Sequence, residues 1–168
     1  MFKGTYRYRI DPKGRVPVPP PFRRSLGEVT RVVVTVLDQC LAAYPPEEWS
    51  RLEAKLSALP AFSKPVRTLS RLLTSRAADC EIDQQGRIRL PPSLRALTGL
   101  AKEVVVVGVL NRFELWAPAA WDGFLQESER LLDDVSLEVP WPPPPSPPTS
   151  DPGRDPAPPG RPQGKSSR

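Results

Sequence analysis

IDPKGRVPVPPPFR, residues 10–23, returns 72 positions later as IDQQGRIRLPPSLR, residues 82–95. The register continues outward. Across residues 10–49 and 82–121, thirteen of forty positions are identical without a gap, from Ile10/Ile82 to Trp49/Trp121. Pairs such as Val16/Ile88, Phe22/Leu94 and Tyr44/Trp116 are conservative. An internal repeat of this length means one structural unit built twice, and two similar units pack by pseudo-twofold symmetry.

Each copy reads the same way. In the first, TYRYRI (5–10) alternates as a strand, DPKG (11–14) is a turn and RVPV (15–18) resumes a strand. In the turn, Asp opens the bend, Pro presets one dihedral and Gly supplies a positive φ. Pro17 makes the second strand an edge or irregular one. Phe22–Leu26 make a short helical turn after the proline run, ended by Gly27. RVVVTVL (31–37) is a β-branched buried strand, Asp38-Gln39 a hairpin and CLAAY (40–44) the return. A helix then opens at Pro45-Pro46, with Trp49, Leu52, Leu56 and Leu59 on one face. A further helix spans about 65–76, presenting Val66, Leu69, Leu72 and Leu73.

The second copy runs through strand 79–83, turn 83–86, strand 87–90, helical turn 91–99, strand 103–109, hairpin 110–111 and strand 112–116. A final helix opens at Ala117-Pro118 with a stripe of Trp121, Phe124, Leu125, Ser128, Leu131, Leu132 and Val135. Four short strands cannot close a core alone, whereas two copies together can form a small barrel. The helical stripes read as core, broad enough for part of that surface to face a neighbouring subunit. The expected organisation is α+β: a first unit with its helices at 1–76, a second unit at 77–139, and a tail at 140–168. The tail holds twelve of the 24 prolines and one large apolar residue, Trp141, so it reads as disordered and partly polyproline II.

Charge is unevenly placed. Residues 1–36 carry eight basic side chains against Asp11 and Glu28, a net of +6; the tail is +2, leaving −3 for 37–139 of the +5 total. A basic N-terminal face fits either a polyanionic partner or a charge-mixed solvated surface. There is no histidine, and Cys40 and Cys80 stand alone with no paired spacing. Histidine-based catalysis, a zinc site and a disulfide framework are therefore not expected. The two thiols read as free and buried. No apolar run reaches membrane-span length, which points to a reducing cytoplasm. Asp and Arg alone form no nucleophile–base constellation, so the chain does not read as an enzyme, and no cofactor, metal or small-molecule substrate is expected.

The motif shared by both copies is Asp-x-x-Gly-Arg, at Asp11–Gly14–Arg15 and Asp83–Gly86–Arg87. An aspartate four residues before an arginine, across a glycine turn, can accept turn amides and orient the guanidinium. Such an arginine can fork onto a phosphate or onto the O6 and N7 edge of guanine. The other reading is an internal pair that only pins the hairpin. Occurrence in both copies, with Lys3, Arg7, Arg9 and Lys13 nearby in sequence, tilts the balance toward nucleic acid.

With MFKGTYRYRIDPKGRVPVPPPFR, RLLTSRAADCEIDQQGRIRLPPSLR and VVVVGVLNRFELWAPAAW, the chain resembles the MraZ family of bacterial transcriptional regulators, built from tandem SpoVT-AbrB-like units. The resemblance covers about residues 1–135. It implies a swapped-hairpin β-barrel with flanking helices, assembled into a homo-oligomeric ring. It implies a nucleoid-associated protein that binds short G-containing direct repeats in double-stranded DNA, upstream of the cell-division and cell-wall gene cluster that includes its own gene. It assigns DNA contact to Arg15, Lys13 and Arg87, with Lys3, Arg7 and Arg9 in the basic N-terminal stretch. Asp11, Gly14, Asp83 and Gly86 orient the motif. Gln85 replaces Lys13 in the second copy, so the first half is expected to make the stronger contact. The alternative is a ring-forming scaffold with incidental DNA affinity. Related single units also serve as antidotes that bind DNA and a toxin. The tail, outside the resemblance, reads as a dispensable extension or as a docking segment with weak phosphate attraction through Arg154, Arg161, Lys165 and Arg168.

Overall fold

A computed structural model of the chain describes residues 1–138, so the tail at 140–168 lies outside the described residues. Thirteen elements follow in order: β1 (Phe2–Arg9), β2 (Arg15–Pro17), α1 (Pro20–Leu26), β3 (Arg31–Leu37), β4 (Cys40–Tyr44), α2 (Pro46–Ser57), α3 (Lys64–Ser75), β5 (Ala78–Glu81), β6 (Arg87–Arg89), α4 (Pro92–Leu97), β7 (Glu103–Leu110), β8 (Arg112–Trp116) and α5 (Pro118–Glu138). Contacts gather Met1–Arg130 into one unit.

The two halves interleave within that unit. Every strand of one copy pairs with the other: β1 with β7, β5 with β3, β2 with β6 and β4 with β8, all antiparallel. The first two pairings are the same contact seen from either half, since Arg9 faces Glu103 and, 72 residues on, Glu81 faces Arg31. Hydrogen bonds obey the same symmetry: Ile10 N–H donates to Lys102 O and Ile82 N–H to Thr30 O.

The strands form a six-stranded sheet, ordered β1-β7-β8-β4-β3-β5, and a separate two-stranded ribbon, β2-β6. The expected closed barrel is therefore not formed as one continuous ladder. β2 and β6 are three residues long, Pro17 has no N–H to extend pairing, and the Pro19-Pro20 and Pro91-Pro92 steps turn each chain away into a helix. One isolated bridge, Ile82 to Ile88, links the region of β5 to the ribbon. β1 starts at Phe2, earlier than its alternation indicates, because Gly4 and Gly108 face each other and let the backbones approach closely.

The core lies between the sheet's inner face and the ribbon. Val16 and Ile88 turn inward and are fully buried, with Val32, Val34, Val104, Val106, Phe113 and Leu115. Phe22 of α1 sits at its centre, with ring centroids 5.4 Å from Phe2, 5.3 Å from Tyr6 and 5.7 Å from Phe113. Burying a phenylalanine is worth about 1.5–3 kcal/mol, so this contact fastens α1 across both halves.

The sheet's other face is covered too. Val33, Ala42 and Tyr44 pack with Trp49 of α2, while Val105, Val107 and Trp116 pack with Trp121 of α5. Strands buried on both faces lose alternation, which is why β3 and β7 read as unbroken valine runs. Cys40 and Cys80 are free and buried; burial pushes both thiols up, that of Cys80 to about 11.

The helical stripes are only partly consumed. Trp49 and Leu73 are buried, but Leu59, Leu69, Leu72, Phe124 and Leu125 remain exposed, as does Phe62 in the loop before α3. The stripe residues Leu131, Leu132 and Val135 are helical within α5, and their side chains lie outside the described residues.

Candidate nucleic-acid interface

The ribbon carries the motif. Val16 and Ile88 are pulled into the core, and strand alternation then drives Arg15, Pro17, Arg87 and Arg89 to the opposite, outward face. The register pairs Arg15 with Arg89 and Pro17 with Arg87.

Each turn is closed by its aspartate. Asp11 Oδ1 accepts the N–H of Lys13 at 3.0 Å and of Arg15 at 2.8 Å, and its Oδ2 accepts Arg15 Nε at 2.6 Å. Asp83 repeats this with Gln85 N–H at 2.9 Å, Arg87 N–H at 3.0 Å and Arg87 Nε at 2.9 Å, adding Arg87 Nη2 at 2.8 Å. Gly14 and Gly86, at φ +77° and +74°, take the left-handed position that the turn requires.

Hydrogen bonds to an ionised carboxylate favour the ionised form. The Arg15 amide, and then its guanidinium, hold Asp11 below the ordinary aspartate value. Asp83 is lowered first by the Arg87 guanidinium and then by the Arg87 amide.

The aspartate takes the Nε side of its arginine, joined in Arg87 by Nη2, and leaves the Nη1 edge without a hydrogen-bond partner among the described residues. That is the edge a guanidinium can direct at a phosphate or at guanine. The carboxylate acts as a brace as well as a charge partner: it removes rotamer freedom that the arginine would otherwise lose on binding. Arg15 and Arg87 keep about a third or less of their side-chain surface exposed, at 30% and 25%. Pinning of the hairpin and pre-organisation of the arginine are thus the same interaction.

Three arginines that motif reading passes over join this surface. Arg89 lies on the outward face opposite Arg15. Arg95, from α4, lies over Gly14, its Cζ, Nε and Nη2 each 3.2 Å from where a Cβ would stand. Arg23, from α1, covers Gly86 so closely that a Cβ there would overlap it. With Lys13 this gathers six cations against Asp11 and Asp83. The signal for Arg23 and Arg95 was their identity across the repeat. For Arg89, at the end of a three-residue strand, the sequence carried no such signal.

The remaining N-terminal cations are placed elsewhere. Lys3, Arg7 and Arg9 share the outer face of β1. Lys3 pairs in register with Val109, about 25 Å along the strand from the Asp11 turn. Arg7 is bound to Asp122 of α5 at 2.8 Å. Arg9 ends β1 beside the turn, 4.0 Å from Glu103. The structure therefore brings Arg15, Lys13 and Arg87 together and does not bring Lys3 or Arg7 to them. Among the described residues no group of His, Cys, Asp or Glu side chains gathers to hold a metal, and no helix is long and apolar enough to cross a membrane.

Residues 1–72 and 73–136 each match the family model described as "MraZ protein, putative antitoxin-like". The chain belongs to the MraZ family. It is 48% identical over 136 residues to "Transcriptional regulator MraZ" of Ligilactobacillus salivarius (strain UCC118), covering 81% of this chain and 94% of that protein. It is 45% identical over 136 residues to the MraZ protein of the same description from Halothermothrix orenii, with the same coverage. Against that of Natranaerobius thermophilus it is 42% identical over 139 residues, covering 83% and 96%. The matched spans take in both Asp-x-x-Gly-Arg turns and stop before the proline-rich tail of this MraZ chain.

Proposed function

We propose that this chain is a transcriptional regulator that binds double-stranded DNA sequence-specifically through the outer face of the β2–β6 ribbon. The observation that carries the reading is the convergence of Arg15, Arg87 and Arg89 on one two-stranded surface, with two of the three braced by aspartates. A two-stranded ribbon is of a size to enter the major groove. The relatives' description as transcriptional regulators supports the same reading. The resemblance supports short G-containing direct repeats upstream of the cell-division and cell-wall cluster as the target, and a cytoplasmic, nucleoid-associated protein.

One ribbon offers few base contacts, each worth about 1–3 kcal/mol. Self-association answers that weakness. The exposed Leu59 just past the end of α2, Leu69 and Leu72 on α3, and Phe124 and Leu125 on α5 support a homo-oligomer. In the ring that the resemblance implies, several ribbons engage repeated boxes, and effective concentration multiplies affinity. Repeats on a straight duplex do not follow a closed circle, so the DNA bends or the ring deforms on binding.

The test is titration of the full chain against its own upstream duplex, with intact and scrambled repeats, at two salt concentrations, beside Arg15→Ala. Repeat-dependent binding, most of which Arg15→Ala loses, is the expected result. Equal, salt-sensitive binding to both duplexes would favour the scaffold with incidental DNA affinity. Deletion of 140–168 separates the readings further, since a regulator keeps repeat binding without the tail.

A further inference from the structure

Each turn glycine is covered by an arginine from the opposite half. Arg95 of the second copy lies over Gly14 of the first, and Arg23 of the first lies over Gly86 of the second. The two arginines are equivalent in the repeat, 72 residues apart, so the crossing occurs twice. Among the described residues neither has an acidic partner within salt-bridge distance, whereas Arg15 and Arg87 each have an aspartate. Arg95 Nε is buried without a hydrogen-bond partner. An arginine is not deprotonated in a protein, so a charge held there by packing alone lacks an anion.

We propose that the DNA-contacting unit is composite. On this proposal, which rests on the DNA-binding reading above, Arg95 works with Asp11 and Arg15, and Arg23 works with Asp83 and Arg87. Within each set the aspartate-braced arginine faces the base edges. The crossing arginine, lying over the glycine one residue before it, takes the adjacent backbone phosphate. The pseudo-twofold thus makes each half complete the other's site, and a single repeat on its own carries only part of one.

The test is a double-mutant cycle by fluorescence anisotropy, using the full chain and its own upstream duplex at fixed ionic strength. Arg95→Met and Arg23→Met are each expected to weaken binding on the order of tenfold and to lower the salt slope by about one. Combining Arg15→Ala with Arg95→Met should cost clearly less than the product of the single losses. Combining Arg15→Ala with Arg23→Met should cost the full product. Coupling of Arg15 to Arg23 instead, or wild-type binding by both methionine variants, overturns the composite site while leaving the DNA reading intact. Wild-type binding by Arg15→Ala overturns that reading and the composite with it. Should Arg95→Met melt, Arg95→Gln carries the same cycle, because it keeps part of the alkyl stem over Gly14 and removes the charge.

Discussion

Arg15 and Arg89 stand directly opposite each other across the β2–β6 ladder. Like charges in that relation destabilise a sheet, so the pairing works against the fold unless an anion comes between them. Arg89→Ala is expected to leave thermal stability unchanged or slightly raised while weakening DNA binding on the order of tenfold. Melting curves and anisotropy on one preparation check both halves of the statement. A fall in Tm with unchanged binding would make Arg89 a structural residue.

Asp11→Asn separates bracing from turn formation. The amide oxygen still accepts the Lys13 and Arg15 N–H groups, but an NH2 donor replaces the oxygen that accepted Arg15 Nε, so that charge-assisted bond is lost. The expected variant is folded, with stability only slightly lowered, and discriminates intact from scrambled repeats poorly. Asp11→Ala removes both functions and should lose more stability than Asp11→Asn. Equal discrimination by Asp11→Asn and the parent chain would show that the brace is dispensable.

The acid response follows from the same carboxylates. Asp11 and Asp83 are held below the ordinary aspartate value of about 3.9, so their stabilising contribution is fully present above it. It is lost as the pH falls through the depressed folded-state values. Thermal melts from pH 6 downward should therefore show a drop beginning near pH 4, smaller in Asp11→Asn/Asp83→Asn than in the parent. An identical acid limb in both proteins would place the sensitivity in other carboxylates.

Gly108 tests the close approach of β1 to β7. A Cβ there would stand 2.6 Å from the Lys3 Cα, a backbone atom that cannot swing aside. Gly108→Ala is expected to cost about 1–3 kcal/mol in urea unfolding, the range for overpacking a filled site. Gly27→Ala is a useful contrast, because nothing lies within 4 Å of that position and only its φ of +61° resists the change.

The buried thiols give a chemical check on the core. With burial pushing Cys80 up to about 11 and Cys40 up as well, neither is a thiolate at pH 8. A thiol reagent should find almost no reactive sulfur in the native chain and two in denaturant. Rapid native labelling would mean that the sheet opens locally at β4 or β5.

What the chain determines locally was legible as sequence. The Asp-x-x-Gly-Arg turns depend on contacts within five residues, so Asp11 and Asp83 announce their amide bonds by spacing alone. Because backbone sterics and burial act over a few residues, the valine runs gave β3 and β7, and the proline runs marked where α1 and α4 follow, although α1 begins at Pro20, two residues before the expected Phe22. The repeat itself reported pseudo-symmetry.

Tertiary structure alone decided how the halves meet. Nothing local tells Arg9 that it faces Glu103 rather than a residue of its own copy, or that β2 and β6 stop short of closing a barrel. Arg89 sits on a three-residue strand, too short for alternation to declare a face, and its direction was fixed only when Ile88 entered the core. Lys3, Arg7 and Arg15 are neighbours in sequence, but an extended strand carries Lys3 far from the turn and Asp122 of α5 takes up Arg7. The crossing of Arg23 and Arg95 onto the opposite glycines has the same cause. Long-range pairing sets it, through the burial of Phe22, Val16 and Ile88 in a core that both copies must build together.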